Sequence, residues 1–447
     1  MPNDNSGFHY LVEPSGPLKG EVSLSGAKNA ATKIIVASLL TDQECVLENV
    51  PQIVDVDLVL EMCRELGSQF DFKNNRLKIV TKKVKQPEIS SAYTGRNRIP
   101  VLMLGPLIHR CGEARVPVVG GDKIDKRPVD FHTMVLQKMG AELVDEQNAY
   151  CLRAKELVGT EILFAWNSVG ATETALLSSV LAKGRTVIRN AAIESEVVDL
   201  VMVLQKMGAI VEMRDDRTYV VDGVNKLGGF KHKIMPDRIV AASFASAAIA
   251  SKGDVFVRGA EQRPMVTFLD KVRLAGGEFE ITDEGIRFFY KKALRAVDVE
   301  TLPHPGFMTD WLPPFAILLT QAKGQSLLHD TIFGDRFGYV DALNKMGAKI
   351  DVVTQCLGQF SSCRYKDANY KHGAIINGPT PFKGAEVVAP DIRAGFSYLV
   401  AAAIAEGNSK VYDEDRAIAR GYENILEKFK DLGVKISCSG SQVDKQC

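Results

Sequence analysis

Two kinds of helical pattern alternate along the chain, separated by short runs that are typical of β-strands. One kind carries a narrow apolar stripe, in which Leu200, Val203, Leu204 and Met207 follow the spacing i, i+3, i+4, i+7 of an amphipathic helix. The other kind consists almost wholly of small residues, as in VAASFASAAIAS at 240–251. Because small side chains let neighbouring backbones approach closely, we expect these helices to lie buried inside their domain, with the sheets outside.

These patterns recur six times in a constant order: a small-residue helix, a short strand, an amphipathic helix, a glycine, and one or two further strands. Self-similarity at a near-constant period is typical of a repeat architecture. The glycines that close the six segments are Gly67, Gly140, Gly208, Gly276, Gly347 and Gly433. The small-residue helices are predicted at 27–40, 98–110, 171–183, 238–251, 310–323 and 392–406. Five of them are expected to end at a left-handed glycine, namely Gly112, Gly184, Gly253, Gly324 and Gly407.

The length and the position of one connection predict two domains. At 447 residues the chain exceeds the size at which one hydrophobic core usually stops growing. Its most Gly- and Lys-rich connection, GVNKLGGFKHK at 223–233, falls between the third and fourth segments. We therefore predict a first three-repeat domain at 23–230 and a second formed by 1–22 plus 231–447. The extra strands expected at 8–22 have no place in the repeat count, so they are predicted to pair elsewhere.

Composition excludes several classes of partner. The 55 basic and 55 acidic residues cancel, so the chain has no bulk field that would attract nucleic acid or an anionic membrane. No apolar run approaches the roughly 20 residues of a membrane span, and the polar N-terminus MPNDNSGFHY does not resemble a signal peptide. The sequence thus predicts a cytoplasmic protein. The eight cysteines form no CxxC pair and no Cys/His ligand spacing, so no metal site is expected.

Cations recur near the predicted helix starts, where the helix dipole normally disfavours them. They are Lys28, Arg98, Arg238 and Arg393 at small-residue helices, and Arg127, Arg263, Arg336 and Arg420 at amphipathic helices. If the repeats surround a common axis, these starts converge and form a site for phosphates or carboxylates. The fifth segment instead carries Asp310, which is either an ionised carboxylate suited to act as a base or a simple helix N-cap.

Several ordered motifs resemble a known family, the UDP-N-acetylglucosamine 1-carboxyvinyltransferases of peptidoglycan synthesis. The resemblance covers nearly the whole chain, and it implies a two-domain inside-out α/β barrel of six βαβαββ-type repeats, three per domain, whose N-terminal strands join the second domain. The motifs that carry it are SGAKNAA (25–31), RIPVLMLGPL (98–107), GGDKIDKRPVD (120–130), SVGATET (168–174), MPDRI (235–239), PHPGFMTDW (303–311), TIFGDRF (331–337) and RGYENI (420–425).

The resemblance also implies a reaction and a role for individual residues. The 3-hydroxyl of UDP-N-acetylglucosamine attacks C2 of phosphoenolpyruvate as C3 is protonated, and phosphate then leaves, without a metal or organic cofactor. The implied catalytic residues are Asp122 as proton donor, Asp310 as base and Lys28 as a balancing charge. Residues implied to hold phosphoenolpyruvate are Lys28, Asn29, Arg127, Arg336, Arg393 and Arg420. Residues implied to contact the UDP-sugar are Arg98, Arg127, Pro128, Val129, Asp130, Phe131, Ser168, Val169, Gly170, Asp310 and Ile332.

The chain departs from the family pattern at several positions. Asp122 stands where the commonest form has a cysteine, and a carboxylate is a poorer soft nucleophile than a thiolate, so resistance to the cysteine-alkylating epoxide fosfomycin is predicted. The other departures are Asp125 and Lys126 in the same loop, Thr174 in place of Asn, and Ala419 in place of an Asp before Arg420. They leave two alternatives open: an enolpyruvyl transferase with another acceptor, and a non-catalytic paralogue that binds UDP-sugar.

Overall fold

The computed structural model describes residues 7–121, 128–144, 148–358, 363–366 and 368–440. These residues form two compact units. The first unit contains 25–121 and 128–235, and the second unit contains 7–24 and the described residues from 236 onwards. Within the described ranges, no helix combines the length and the apolar character that a membrane span requires.

Short strands and helices alternate through both units. In chain order the strands are β1 (His9–Val12), β2 (Lys19–Ser23), β3 (Cys45–Glu48), β4 (Gln69–Lys73), β5 (Arg76–Val80), β6 (Glu113–Pro117), β7 (Glu142–Val144), β8 (Ala149–Arg153), β9 (Glu161–Leu163), β10 (Arg185–Arg189), β11 (Ile210–Arg214), β12 (Thr218–Asp222), β13 (Lys231–Lys233), β14 (Asp254–Arg258), β15 (Glu278–Thr282), β16 (Gly285–Phe289), β17 (Val299–Glu300), β18 (Gly324–His329), β19 (Ile350–Val353), β20 (Gly373–Gly378), β21 (Glu386–Val388), β22 (Ser409–Tyr412) and β23 (Ile436–Ser439).

The α-helices are α1 (Lys28–Ala37), α2 (Val54–Glu65), α3 (Leu104–Cys111), α4 (Asp130–Lys138), α5 (Val169–Ser179), α6 (Ser195–Lys206), α7 (Arg238–Ala250), α8 (Val266–Leu274), α9 (Leu312–Thr320), α10 (Val340–Lys345), α11 (Ile392–Ala403) and α12 (Ile425–Asp431). Short 3₁₀-helices adjoin several of them, at Ser38–Leu40, Ser91–Tyr93, Ile99–Met103, Arg263–Met265, Thr309–Trp311, Arg336–Tyr339 and Ile418–Arg420.

Each repeat is built on one small sheet, and the described residues contain six such sheets. The first unit has the strand orders β13-β3-β5-β4, β6-β8-β7 and β11-β12-β10-β9, and the second has β15-β16-β14-β2, β17-β18-β20-β19 and β21-β22-β1-β23. Most sheets combine one parallel strand pair with antiparallel pairs. For example, β10 pairs in parallel with β9 and antiparallel with β12. The predicted α/β class and the sixfold repeat are confirmed.

The strands before α1 and α7 decide where the units begin. β2 precedes α1 but pairs in parallel with β14 of the second unit, and β13 precedes α7 but pairs in parallel with β3 of the first. The boundaries therefore fall at Leu24 and Met235. The predicted boundary after residue 230 would separate β13 from the sheet to which it belongs. The composition of the connection did not reveal this, because it carries no information about which strand β13 pairs with. β1 lies antiparallel between β22 and β23 in the last sheet of the second unit.

The small-residue helices form the interior of each unit. Every residue of α7, α9 and α11 is buried, whereas in strands such as β14 and β5 buried residues alternate with half-buried or exposed ones. Buried serines in these helices are satisfied locally: Ser243 Oγ donates to the carbonyl of Ile239 and Ser397 Oγ to that of Arg393, one turn earlier. Each unit has its own apolar core, with the helices inside and the sheets outside as predicted.

The six repeat glycines share one backbone role. All of them have positive φ, between +83° and +103°, and each directly follows the C-cap of its amphipathic helix. At Gly208 the N–H donates to the carbonyl of Gln205, and the next N–H, of Ala209, donates to Leu204. These two hydrogen bonds form a Schellman motif, which ends the helix. The motif requires positive φ at the glycine position, a conformation that is unfavourable for a residue with a Cβ.

The second set of predicted helix-ending glycines is largely wrong. Gly112 caps α3 with φ +79°, as predicted. Helices α5, α7, α9 and α11 end several residues earlier. Positive φ occurs instead at Gly184 and Gly407, in the connections that follow, and at Gly324, the first residue of β18. At Gly253 a Cβ would collide with the backbone of Leu18, so close packing of two chain segments requires glycine there.

Candidate active site

The three buried helices of the second unit begin near one another. Arg393 of α11 reaches the 3₁₀-helix before α9, and Arg238 of α7 lies 5.7 Å from the ring of Trp311 in that same segment. The starts of α7 and α11 are capped by Asp237 and Asp391, each of which accepts two backbone hydrogen bonds of 2.8 and 3.0 Å. Helix N-termini and guanidinium groups therefore combine at one end of this helical core.

Asp310 contacts two buried arginines at this end. Its Oδ1 accepts a hydrogen bond from Nη2 of Arg336 at 2.9 Å, and its Oδ2 lies 3.6 Å from Nε of Arg393. The arginine side chains are 2 % and 5 % exposed, and the Asp310 side chain is 22 % exposed. Buried cations require a counter-charge, and Asp310 supplies it from the more exposed position. The N-cap residues of this 3₁₀-helix and of α9 are Met308 and Trp311, so Asp310 does not occupy an N-cap position.

Arg393 is held in place by an aromatic and hydroxyl network. Its guanidinium carbon lies 5.2 Å from the centre of the Tyr422 ring, which stacks on Phe396 at 4.7 Å. The hydroxyl of Tyr422 is 2.8 Å from that of Ser243. Burial lowers the pKa of Arg393, but the facing Tyr422 and Asp310 outweigh it and the net shift is upward. The guanidinium thus stays charged inside the core.

The loop that carries Ile332 and Arg336 is fixed by a buried carboxylate. Asp330 is fully buried and accepts hydrogen bonds from the hydroxyls of Thr301 at 2.8 Å and Thr309 at 2.6 Å. It also accepts the backbone N–H of Ile332 at 2.9 Å. These bonds tie the loop after β18 to the segment that precedes Asp310.

In the first unit, a buried ion pair holds Lys28 at the start of α1. Its Nζ lies 2.8 Å from Oδ2 of Asp55, and the two side chains are 13 % and 4 % exposed. Asp55 lies in the first turn of α2, where an acidic residue is favoured. Its carboxylate offsets the unfavourable position of a cation in the first turn of α1, beside the half-buried Asn29.

The residues expected to contact a UDP-sugar lie near one another in the first unit. Nη2 of Arg98 donates to the carbonyl of Pro128 at 3.3 Å, which joins the start of the α3 segment to the chain before α4. Ser168 caps α5 through a 3.4 Å bond. A Cβ at Gly170 would lie 3.1 Å from the ring of His132 in α4, so the start of α5 packs directly on α4. The structure therefore brings these three predicted segments together.

Comparison with known proteins identifies the family. The family model for EPSP synthase (3-phosphoshikimate 1-carboxyvinyltransferase) matches residues 12–429. Proteins named UDP-N-acetylglucosamine 1-carboxyvinyltransferase from Protochlamydia amoebophila and Chlamydia abortus are each 46 % identical over 94 % of this chain, covering 92 % and 95 % of their own lengths. The chain belongs to the UDP-N-acetylglucosamine 1-carboxyvinyltransferase family.

Solved structures share the fold of this carboxyvinyltransferase family. The enolpyruvyl transferase NikO from Streptomyces tendae superposes with a TM-score of 0.86 at 20 % identity, covering 97 % of this chain and 99 % of its own. EPSP synthase from Acinetobacter baumannii gives 0.73 at 18 % identity, with 97 % and 100 % covered. The likeness extends over both units of the chain.

Thr174, which departs from the carboxyvinyltransferase pattern, contacts a buried histidine. Its Oγ1 lies 2.7 Å from Nδ1 of His132. Burial, together with a smaller contribution from the nearby Arg98, lowers the pKa of His132 to about 3. The imidazole is therefore neutral at physiological pH, and Thr174 fixes its orientation beside Gly170.

Glu173, the neighbour of Thr174 in the same motif, is a buried acid. It is fully buried, and neither carboxyl oxygen has a hydrogen-bond partner among the described residues. Burial raises the pKa of Glu173 to about 7, although Lys33 opposes the shift. The sequence pattern indicates no role for Glu173, because nothing local distinguishes a buried acid from an exposed one.

Not every predicted residue is placed by the structure. Asp122, Asp125, Lys126 and Arg127 lie outside the described residues. Arg420 ends a 3₁₀-helix and is half-buried beside the buried Ala419, whereas Arg263 is exposed at the start of another. The supporting residues that sequence reasoning missed are Asp55, His132, Asp330 and Tyr422, none of which belongs to a local charge pattern.

Proposed function

We propose that the protein transfers the enolpyruvyl group of phosphoenolpyruvate to the 3-hydroxyl of UDP-N-acetylglucosamine and releases inorganic phosphate. The names of its relatives support this activity. The observation that carries the proposal is the group of Asp310, Arg336 and Arg393, which places two buried guanidinium groups and one carboxylate at the ends of buried helices. Such a group suits an anionic substrate whose reaction partner must lose a proton.

The proposed chemistry has two steps, addition and elimination. In the addition, the hydroxyl oxygen of the sugar bonds to C2 of phosphoenolpyruvate, its proton passes to Asp310, and C3 takes a proton from Asp122. In the elimination, C3 returns a proton to Asp122, the C2–C3 double bond re-forms, and the bond from C2 to the phosphate oxygen breaks. The departing phosphate takes up the proton held by Asp310. Lys28 balances the negative charge that develops as these bonds change.

Substrate binding and base function are linked through the same arginines. Asp310 pairs with both Arg336 and Arg393, at 2.9 and 3.6 Å, so its single negative charge is shared between two guanidinium groups. The phosphate or carboxylate of phosphoenolpyruvate competes for those guanidinium groups, because charge-assisted bonds to oxyanions are strong. As the anion takes over the arginines, the carboxylate of Asp310 becomes available to accept the hydroxyl proton.

The remaining proposed contacts divide by substrate. Phosphoenolpyruvate is held by Lys28, Asn29, Arg127, Arg336, Arg393 and Arg420. The UDP-sugar contacts Arg98, Arg127, Pro128, Val129, Asp130, Phe131, Ser168, Val169, Gly170, Asp310 and Ile332. The product is the first committed precursor of peptidoglycan, which places the enzyme in the cytoplasm and in cell wall biogenesis, cell shape and division.

The acceptor is tested by phosphate release. Purified protein is incubated with phosphoenolpyruvate and, in parallel, with UDP-N-acetylglucosamine, UDP-glucose or shikimate 3-phosphate, and the products are identified by mass spectrometry. Release is expected with UDP-N-acetylglucosamine, together with a product one enolpyruvyl group heavier. Release with shikimate 3-phosphate alone would assign another acceptor, and tight UDP-sugar binding without release from any acceptor would indicate a non-catalytic protein.

The presence of Asp122 leads to a separate prediction about inhibition by fosfomycin. Fosfomycin should cause no time-dependent loss of activity, because a carboxylate attacks an epoxide more slowly than a thiolate does. Asp122→Cys should become sensitive and should carry a covalent adduct at residue 122, detected by peptide mass spectrometry. An adduct on Asp122 in the unaltered protein, with loss of activity, contradicts the prediction.

A further inference from the structure

Two histidines and two cysteines, all separate from the proposed catalytic residues, lie together in the second unit. His329 ends β18, His372 directly precedes β20, and Cys356 and Cys363 follow β19. The strand register places these positions at one end of the sheet, since His329 and Val353 both pair with Gly373. One nitrogen or sulfur atom from each of the four residues lies within 4.8 Å of those of the other three.

Both imidazoles are oriented by a hydrogen bond on the nitrogen Nδ1. His372 Nδ1 lies 2.7 Å from the carbonyl of Tyr370, and its Nε2 lies 3.3 Å from Sγ of Cys356. His329 Nδ1 lies 3.2 Å from Oε1 of Glu300. Metal-binding histidines commonly donate their second N–H to a carbonyl or a carboxylate in this way, which fixes the ring and leaves the other nitrogen as a ligand.

The remaining nitrogen of His329 makes no hydrogen bond within the described part of the chain. The residue is 2 % exposed, and its Nε2 is buried without a hydrogen bond to any described residue. A buried polar atom that makes no hydrogen bond destabilises the folded state. A ligand that accepts its lone pair removes that cost.

We propose that His329, Cys356, Cys363 and His372 bind a zinc ion. Two thiolates and two imidazoles in a tetrahedral set favour Zn²⁺, whereas Ca²⁺ and Mg²⁺ require oxygen ligands. With Zn–S near 2.3 Å and Zn–N near 2.0 Å, sulfur and nitrogen ligands lie roughly 3.5 Å apart. The 3.3 Å between Cys356 and His372 fits this geometry. Four protein ligands leave no open position, so the site is structural.

The zinc site connects to the loop that carries Ile332. Tyr365, two residues after Cys363, donates its hydroxyl to the carbonyl of Ile332 at 3.1 Å, and its ring lies 5.9 Å from that of His372. A metal bound here anchors Tyr365 and, through it, this loop. If Ile332 contacts the UDP-sugar, as in the proposed function, loss of zinc raises the KM for that substrate more than it changes kcat.

Metal content tests the site without reference to activity. Protein purified without chelators or a metal-affinity tag is expected to contain about one zinc ion per chain, measured by inductively coupled plasma mass spectrometry. Cys356→Ser and Cys363→Ser should lose most of it. The matched control Cys111→Ser changes an exposed, free cysteine of the first unit and should retain it. Zinc content that is absent in the unaltered protein and not restored by added Zn²⁺ overturns the proposal.

A second measurement covers variants that fail to fold. Unaltered protein is stripped with a chelator and titrated with Co²⁺, which gives visible absorption bands typical of a tetrahedral thiolate site. These bands and a reversible fall in Tm on chelation are expected. A featureless Co²⁺ spectrum, or a Cys356–Cys363 disulfide in freshly purified protein, rules the site out. A normal zinc content together with no phosphate release would instead count against the proposed function alone.

Discussion

At the scale of single residues, the contacts of Asp310 predict that replacing its carboxylate changes turnover and substrate binding in two distinguishable ways. Asp310→Asn deletes the proposed base, so phosphate release at saturating substrate should fall about 10²–10⁴-fold. It also removes the carboxylate that competes for Arg336 and Arg393, so phosphoenolpyruvate should bind more tightly in an equilibrium titration. Asp341→Asn, at an exposed site in the same unit, should change neither quantity. Unchanged turnover with weaker binding would falsify the assignment.

Glu173 makes stability depend on pH in a direction set by its raised pKa. The carboxyl is protonated in the folded state up to about pH 7 but ionises near pH 4.5 in the unfolded chain, so the free energy of unfolding falls as pH rises between these values. A shift from 4.5 to about 7 corresponds to a loss on the order of 3 kcal/mol.

Glu173→Gln should therefore be more stable than the unaltered protein at mildly alkaline pH and similar to it below about pH 4.5. Urea unfolding across this pH range measures the difference. Glu156→Gln, whose side chain is 60 % exposed in the same unit, is the control and should leave the pH dependence unchanged. An equal pH slope in Glu173→Gln and the unaltered protein contradicts the assignment.

At the scale of elements, alanine substitutions of the repeat glycines distinguish the cost of backbone strain from the cost of a steric clash. Gly433 and Gly347 both have positive φ, but a Cβ at Gly433 meets open space, whereas one at Gly347 would lie 2.8 Å from the carbonyl of Pro381. Gly433→Ala should cost about 1–2 kcal/mol from backbone strain alone. Gly347→Ala should cost more, and Gly338→Ala, where φ is not positive and space is open, should cost least. Thermal unfolding midpoints give the order, and any other order contradicts the explanation.

The elements also show where sequence patterns were sufficient. The positions of the six buried helices were predictable because a helix packed on most sides carries apolar or small residues along nearly its whole length. Their ends were not, because Gly184 and Gly407 lie in the connections beyond the helices and Gly324 begins β18. A glycine in a sequence shows that a special backbone conformation is needed nearby, and tertiary packing decides at which residue the helix ends.

At the scale of the whole molecule, two separate cores provide two distinct probes. The chain has two tryptophans: Trp311 is 1 % exposed in the core of the second unit, and Trp166 is 50 % exposed in the first. The change in tryptophan fluorescence on unfolding should therefore report mainly on the second unit, while circular dichroism reports on both.

A matched pair of glycine variants tests whether the two units unfold independently of each other. Gly140 in the first unit and Gly433 in the second both have positive φ and open space around a Cβ. Gly433→Ala should shift the fluorescence transition, whereas Gly140→Ala should shift only the circular dichroism transition. Equal shifts of the fluorescence midpoint in both variants would show that the units unfold as one cooperative structure.

The sequence by itself determined the sixfold repeat, the buried helices and the cations at their starts, because periodicity and residue size act locally along the chain. Tertiary structure decided the partners. It paired Asp310 with two arginines, Lys28 with Asp55, and β13 with β3 rather than with the elements that follow it. It also gathered His329, Cys356, Cys363 and His372, because residues from separate strand ends can meet without any fixed spacing in the sequence.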